Sequence, residues 1–240
     1  MLSRRGLSLS TSLPPESIDL YDVVKMPLVT PPATTVVTAD RFAQGLTYAD
    51  FLAKATINHD KFEKNYQSVP LTDEDVAFFQ KAAALPRGPG KILALAEAWC
   101  GDVYRELPTI ARIAEATGMD LRVFPRDENT DIMDEFLSNN GKSRAIPVFV
   151  FYTADLQYIT RFVERSASAH AGLAAAMDEA RAKLNLPSTA TFGNLPDADR
   201  QPFLREVIAR IQPHSSHWRK DAIREIRELL STALKIPNAG

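Results

Sequence analysis

The spacing of apolar residues separates an N-terminal segment without periodicity from later segments with helical periodicity. Residues 1–40 are rich in Pro, Ser and Thr and lack periodic apolar positions, so we expect a flexible N-terminal arm. A helix is predicted over 46–66, where one face carries Tyr48, Phe51, Leu52 and Ala55. A second helix is predicted from Thr72 to Ala84, because Thr72 is a favourable N-terminal capping residue.

From Lys91 onward, short apolar runs alternate with helical patterns. The predicted strands are 92–96, 121–124, 147–152 and 157–164, and the predicted helices between and after them are 102–117, 129–137 and 168–184. A strand, a crossover helix and a parallel strand, followed by a hairpin, imply an α/β fold with a mixed central sheet flanked by helices on both faces.

Two further helical patterns, over 197–211 and 218–234, follow this α/β core. The chain is therefore expected to have four regions. They are the flexible arm 1–40, a helical N-terminal extension 41–88, the α/β core 89–185 and a helical C-terminal extension 186–240. The pattern leaves open whether the extensions cover a site or form a homodimer.

Composition narrows the classes of protein and compartment that fit the chain. The formal net charge of −2 over 240 residues gives no general attraction to nucleic acid or to an anionic membrane. No apolar run approaches the roughly 18 residues that a membrane span needs. The single cysteine excludes an intrachain disulfide and fits a reducing, cytoplasmic location. Arg4 and Arg5 among several serines leave organelle targeting through the arm as the alternative.

The single cysteine lies in the sequence Trp99-Cys100-Gly101, between a predicted strand and a predicted helix. A thiol at a helix N-terminus lies near unpaired N–H groups and the positive end of the helix dipole, which favours the thiolate. Asp102 opposes the thiolate by its charge, and Arg105 in the next turn offsets it. The direction of the Cys100 pKa shift therefore stays open. Asp102 is either an acid–base group or, as is typical of this position, a first-turn helix residue.

Three features in order resemble the thioredoxin fold over residues 91–183. They are the Trp-Cys-Gly sequence at 99–101, Pro108 eight residues after the cysteine, and Ile146-Pro147 before an apolar strand. The resemblance implies that Pro108 bends the helix and that the Ile146–Pro147 peptide bond is cis and faces the thiol. We expect Trp99 to pack over the motif rather than to stack on a ligand, and Pro147 either to be purely structural or to shape a substrate groove beside Cys100.

The sequence departs from the thioredoxin pattern at the two positions that serve resolution of a mixed disulfide. Val103 stands where thioredoxins have a second cysteine, and Ala94 appears where they bury an acidic residue. Without a second thiol, Cys100 cannot close an intramolecular disulfide cycle. The resolving residues implied by the resemblance are therefore both absent.

These observations support two hypotheses about function. The first is a monothiol thiol–disulfide oxidoreductase, in which Cys100 is the nucleophile, Gly101 and the following helix stabilise its charge, and an external thiol resolves the mixed disulfide. Its expected substrates are proteins or low-molecular-weight thiols and disulfides. The alternative is a redox-inactive thioredoxin-like adaptor. Val103 and Ala94 favour the adaptor, whereas Cys100 and Pro147 favour the enzyme.

We expect no metal and no cofactor. The pair His214 and His217 has no further obvious ligands in its surroundings along the chain. The sequence Gly88-Pro89-Gly90 lacks the lysine and the spacing of a phosphate-binding loop. Basic residues near the C-terminus alternate with acidic ones, which is typical of a solvated helix face rather than a nucleic-acid interface.

Overall fold

A four-stranded mixed sheet forms the centre of the computed structural model, which describes residues 34–238. The strands are β1 Lys91–Ala96, β2 Asp120–Pro125, β3 Val148–Tyr152 and β4 Tyr158–Val163, in the order β2-β1-β3-β4. β1 pairs in parallel with β2, and β3 pairs antiparallel with both β1 and β4. Nearly every residue of β1 and β3 is buried, so both faces of the sheet's centre are covered. The predicted mixed α/β fold is confirmed.

Nine α-helices surround the sheet in the described part of the chain. Before the sheet come α1 Ala39–Ala43, α2 Tyr48–Lys54, α3 His59–Gln67 and α4 Asp73–Ala83. Between strands lie α5 Gly101–Thr117 and the short α6 Thr130–Met133, and after the sheet come α7 Ala167–Lys183, α8 Asp197–Ile211 and α9 Ser215–Leu234. Two single 3-10 turns, Arg126–Glu128 and Gln212–His214, precede α6 and α9. Residues 1–33 of the predicted arm 1–40, with the targeting sequence considered for it, lie outside the described residues.

The crossover helix α5 follows from its sequence. Val103, Leu107 and Ile110 are spaced on one face and are buried against the core. The helix continues through Pro108 and ends at Gly118, whose φ of 73° is left-handed. The crossover carries the chain from the end of β1 to the start of the parallel strand β2.

The single helix predicted over 46–66 is wrong, because the chain forms α2 and α3 with a corner between them. Ala55 leaves helical geometry with ψ of 133°, and Asn58 is left-handed with φ of 63°. The Asn58 side-chain amide donates a 2.9 Å hydrogen bond to the carbonyl oxygen of Ala98. This long-range contact fixes the corner beside the end of β1, where helical periodicity alone predicts continuation.

The helix predicted over 129–137 is also wrong in its extent, because α6 ends at Met133. The amides of Glu135 and Phe136 bond to carbonyls only three residues earlier, at 3.1 and 3.0 Å. The Glu135 carboxylate instead accepts a 2.5 Å hydrogen bond from the Val36 amide. Contacts with the segment before α1 thus replace a continued helix.

The C-terminal helix α9 packs into the same apolar core as the sheet. Ile223, Ile226 and Leu230 are buried in the cluster that contains the side chains of β1 and β3. Arg227 of α9 pairs with Asp75 at 2.8 Å on α4. A separate, smaller cluster joins α7 and α8 around Phe203. The central core thus includes the last helix of the described chain.

No helix within 34–238 has the length and apolar character of a membrane span.

Removing the Leu230 side chain tests this packing. Leu230→Ala is expected to lower the free energy of unfolding by about 2–5 kcal/mol, because the side chain is fully buried and its loss leaves a cavity. Its partly buried neighbour provides the control, Leu229→Ala, which is expected to cost less. Urea denaturation measures both variants. Equal stability of Leu230→Ala and the wild type would contradict the packing of α9 into the core.

Candidate functional site

The register of β1 and β3 brings Cys100 beside the predicted proline. Leu95 near the end of β1 pairs with Val148 at the start of β3, so the residues after one strand face those before the other. Cys100 is the N-cap of α5, and its thiol lies 3.6 Å from the carbonyl oxygen of Ile146, to which it donates. The Ile146–Pro147 peptide bond is cis.

Asp102 lies in the first turn of α5 and is buried, with 7% of its surface exposed. Both of its carboxylate oxygens are paired, one with Arg105 of the same helix and the other with Arg165. A buried carboxylate held by two guanidinium groups is a structural ion pair, and its lone pairs are already engaged with these groups. This arrangement fits the first-turn role that is typical of the position.

Arg165 was not found from the sequence, because only the sheet brings it to the site. The amide of Glu164 donates a 2.7 Å hydrogen bond to the carbonyl oxygen of Pro147, which fixes the chain that follows β4 next to the cis-proline. Arg165 comes directly after this contact and reaches Asp102, 63 positions away in the sequence. A basic residue between a strand and the capping Ser166 is the single local signal.

Burial raises the pKa of the Cys100 thiol above its usual value, and this effect outweighs the others. The backbone N–H groups of Val103 and Asp102 at the helix N-terminus favour the thiolate, as does the positive charge of Arg165. The negative charge of Asp102 acts with burial to raise the pKa. The direction that the sequence left open is therefore upward, and Cys100 is a protonated thiol at neutral pH.

Trp99 lies on the rim of the site, with 53% of its surface exposed. One face of the indole contacts the Arg126 guanidinium, whose central carbon lies 5.3 Å from the ring centroid. Arg126 also donates a 3.1 Å hydrogen bond to the carbonyl oxygen of Arg144, in the loop before Pro147. Arg126, whose role the sequence does not indicate, therefore joins the Trp99 side of the thiol to the proline side.

Gly101 and Tyr104 form a further side of the site. A Cβ atom on Gly101 would lie 3.5 Å from the Tyr104 hydroxyl, an ordinary contact distance. The Tyr104 ring packs edge-on against Phe62, and the Lys61 ammonium lies 4.8 Å from its centroid. Helix α3 therefore fixes the position of the Tyr104 ring.

A buried carboxyl lies behind the site, although not on β1 where thioredoxins carry theirs. Ala94 on β1 is fully buried and apolar, whereas Glu106 on α5 is 3% exposed. Burial raises the pKa of Glu106 to about 8, and the charges of Arg105 and Arg219 only partly oppose this effect. Val103 is fully buried in the position of the absent second cysteine. Nothing in the local sequence distinguishes Glu106 from an exposed helical residue.

The fold and this site together define a thioredoxin-fold protein with one thiol. A family model described as thioredoxin matches residues 45–181, more than half of the chain. The chain therefore belongs to the thioredoxin family, and the predicted resemblance is confirmed.

Two solved structures share the fold. An HIV epitope-scaffold protein is 16% identical with a TM-score of 0.53, and the match covers 83% of this chain and 99% of that chain. A protein of unknown function, PA1234 from Pseudomonas aeruginosa, is 14% identical with a TM-score of 0.51, and the match covers 82% and 98%. At these identities the likeness concerns the fold alone. No curated protein matches the sequence.

Removing the charge of Asp102 tests the electrostatics of the thiol. Asp102→Asn is expected to lower the pKa of Cys100, because it removes a negative charge and leaves the positive charge of Arg165 acting on the sulfur. The rate of alkylation against pH measures the shift in the folded protein. Asp120→Asn, which removes the partner of Arg122 at the start of β2, is the control. An unchanged or higher midpoint in Asp102→Asn would contradict this account.

The raised pKa of Glu106 predicts that the stability of the protein depends on pH. Its pKa rises from an ordinary 4.5 to about 8 on folding, so the folded state binds more protons than the unfolded state between these values. The free energy of unfolding should therefore fall as pH increases through this window and level off above it. Glu106→Gln should remove this part of the fall, whereas the exposed control Glu128→Gln should retain it. If the free energy of unfolding, measured by urea denaturation, falls equally with pH in wild type and in Glu106→Gln, the raised pKa does not belong to Glu106.

Proposed function

We propose that this protein is a monothiol thiol–disulfide exchange protein, with Cys100 as the reacting group. The observation that carries the proposal is the thiol at the N-terminus of α5, 3.6 Å from the carbonyl oxygen that precedes the cis-proline. Backbone beside a cis-proline gives an extended substrate an edge for hydrogen bonding. A disulfide aligned there would present a sulfur atom to Cys100.

In the first step of the proposed reaction, the Cys100 thiolate attacks one sulfur of a substrate disulfide. The substrate S–S bond breaks, its second sulfur leaves as a thiolate, and a mixed disulfide with Cys100 forms. In the second step, an external thiolate attacks the substrate sulfur of this mixed disulfide and releases Cys100. The substrates are proteins or small thiols and disulfides, and a reducing cytoplasm would supply the external thiol.

The high pKa of Cys100 affects the rate of the first step but does not prevent it. A small fraction of thiolate at neutral pH slows attack. A thiolate of higher basicity is, however, intrinsically more nucleophilic, which recovers part of the loss. In the second step, when Cys100 leaves as a thiolate, the N–H groups of Asp102 and Val103 are available to stabilise the charge that develops on its sulfur. We therefore propose slow, selective exchange rather than general disulfide reduction.

The exchange reaction is tested by the mass of the intact protein. After incubation of the full chain with glutathione disulfide, we expect a single glutathione adduct, which dithiothreitol then removes. Cys100→Ser should form no adduct, because the chain contains no other cysteine. Absence of an adduct on the folded wild type, with adduct formation after unfolding in urea, would overturn the proposed exchange.

A second candidate is a redox-inactive adaptor, favoured by the raised Cys100 pKa and by the buried Val103 in place of a resolving thiol. In that case the fold binds a partner through its surface, and the thiol has no turnover. Co-purification of partners with wild type and with Cys100→Ser separates the candidates. An unchanged set of partners favours the adaptor, and loss of disulfide-linked partners alone favours exchange.

A further inference from the structure

The Tyr104 side chain leans back over the first turn of α5, which follows Cys100. Helical side chains lean toward the N-terminus of their helix. Cys100 is the N-cap of α5, and the Tyr104 amide donates to its carbonyl oxygen at 3.3 Å. The tyrosine ring therefore extends back over the first turn, which agrees with the 3.5 Å distance from its hydroxyl to a Cβ placed on Gly101.

The ring of Tyr104 is fixed on two sides, while its hydroxyl is left to donate. Phe62 packs edge-on against the ring, with the two centroids 6.3 Å apart. The Lys61 ammonium covers a ring face at 4.8 Å, and a cation in this position draws electron density from the phenol and strengthens its O–H as a donor. Among residues 34–238 no group forms a hydrogen bond with this hydroxyl.

The Tyr104 hydroxyl keeps its proton at neutral pH. Burial raises the pKa of Tyr104, and the negative charge of a Cys100 thiolate raises it further. A phenol that stays protonated beside a sulfur is a hydrogen-bond donor and not a base.

We propose that Tyr104 is a catalytic hydrogen-bond donor to the sulfur of Cys100, a role that rests on the proposed exchange function. When the external thiolate attacks the mixed disulfide, the S–S bond breaks and its electron pair passes to the Cys100 sulfur. The Tyr104 hydroxyl donates to that sulfur as its charge develops and retains its own proton. The departing thiolate afterwards takes a proton from water.

The substitutions in the motif leave two positions near Cys100 without a polar side chain. Val103 and Ala94 supply no polar side chain where thioredoxins have a thiol and an acid. Asp102 and Arg165 are the charged groups that act on the sulfur. A change of the hydroxyl alone leaves them in place, together with the charged groups that act on Tyr104, Glu106 and Arg165: Lys61 on α3, Arg105 and Glu106 on α5, Glu164 after β4, His170 on α7 and Arg219 on α9.

Tyr104→Phe removes only the hydroxyl and keeps the ring contacts. Because the full chain has one cysteine, carbon-13 labelling at the cysteine Cβ gives one resonance whose pH titration reports Cys100 directly. A hydrogen bond to a thiolate predicts that the titration midpoint rises by about one pH unit in Tyr104→Phe. Release of a preformed glutathione mixed disulfide by dithiothreitol should slow about tenfold, which corresponds to 1.4 kcal/mol in the barrier.

Tyr158→Phe is the matched control. Tyr158 is also partly buried, its hydroxyl has no hydrogen bond within 34–238, and it pairs with Tyr152 at the end of the β3–β4 hairpin away from Pro147. We expect its titration midpoint and release rate to equal those of wild type. Site-specific replacement of Tyr104 by meta-fluorotyrosine keeps the ring and makes a stronger donor, so the Cys100 midpoint should fall. This variant decides the question if Tyr104→Phe folds poorly.

The outcomes separate the role of Tyr104 from the exchange function. An unchanged midpoint and release rate in Tyr104→Phe, with active exchange in the wild type, would overturn the role of Tyr104 alone. A raised midpoint in Tyr104→Phe without adduct formation by the wild type would establish the hydrogen bond to sulfur and overturn its use in exchange. Equal shifts in Tyr104→Phe and Tyr158→Phe would also overturn the assignment.

Discussion

The pairing of β3 between β1 and β4 is the constraint on which the site depends. On one side of β3, the pairing with β1 brings Cys100, which follows β1, to the backbone of Ile146. On the other side, the chain that follows β4 bonds to Pro147 through the Glu164 amide, and this brings Arg165 to Asp102. A shift of either register by one residue would reverse the side-chain directions and separate these groups. The thiol, the cis-proline and the ion pair therefore form as a consequence of one sheet.

The surroundings of the Cys100 thiol have opposing effects on its pKa, and burial has the largest effect. A helix N-terminus and Arg165 favour the thiolate, whereas burial and Asp102 favour the neutral thiol. The balance gives a protonated cysteine at rest. In the proposed exchange, donors that are fixed in advance would stabilise the Cys100 sulfur when it leaves as a thiolate. The backbone amides at the start of α5 satisfy that condition.

Much of the fold follows from local pattern. The apolar run of β1, the periodicity of α5 and the bounds of α8 were all predictable, because each is set by residues close in sequence. The division between α2 and α3 was not, since it depends on a hydrogen bond from Asn58 to a carbonyl 40 positions away. The end of α6 likewise depends on a contact with the segment before α1.

The site was predictable in part for the same reason. The Trp-Cys-Gly sequence, Asp102 and Arg105 lie within two helical turns, and their pairing follows from helix geometry. The sequence does not indicate Arg126 or Arg165, because the topology of the sheet brings them to the thiol. Tyr104 is close to Cys100 in sequence, but its place in the site depends on the direction of its ring. A hydrophobic pattern does not give that direction and treats the tyrosine as a core residue.

The most direct test compares Cys100 in the folded and unfolded chain. The second-order rate of its reaction with glutathione disulfide would be measured in buffer and in urea, and each rate divided by the thiolate fraction from a separate pH titration. The account predicts a faster reaction per thiolate in the folded protein, because a thiolate of raised pKa is intrinsically more nucleophilic. A slower reaction per thiolate in the folded protein would contradict it and identify Cys100 as a protected, structural residue.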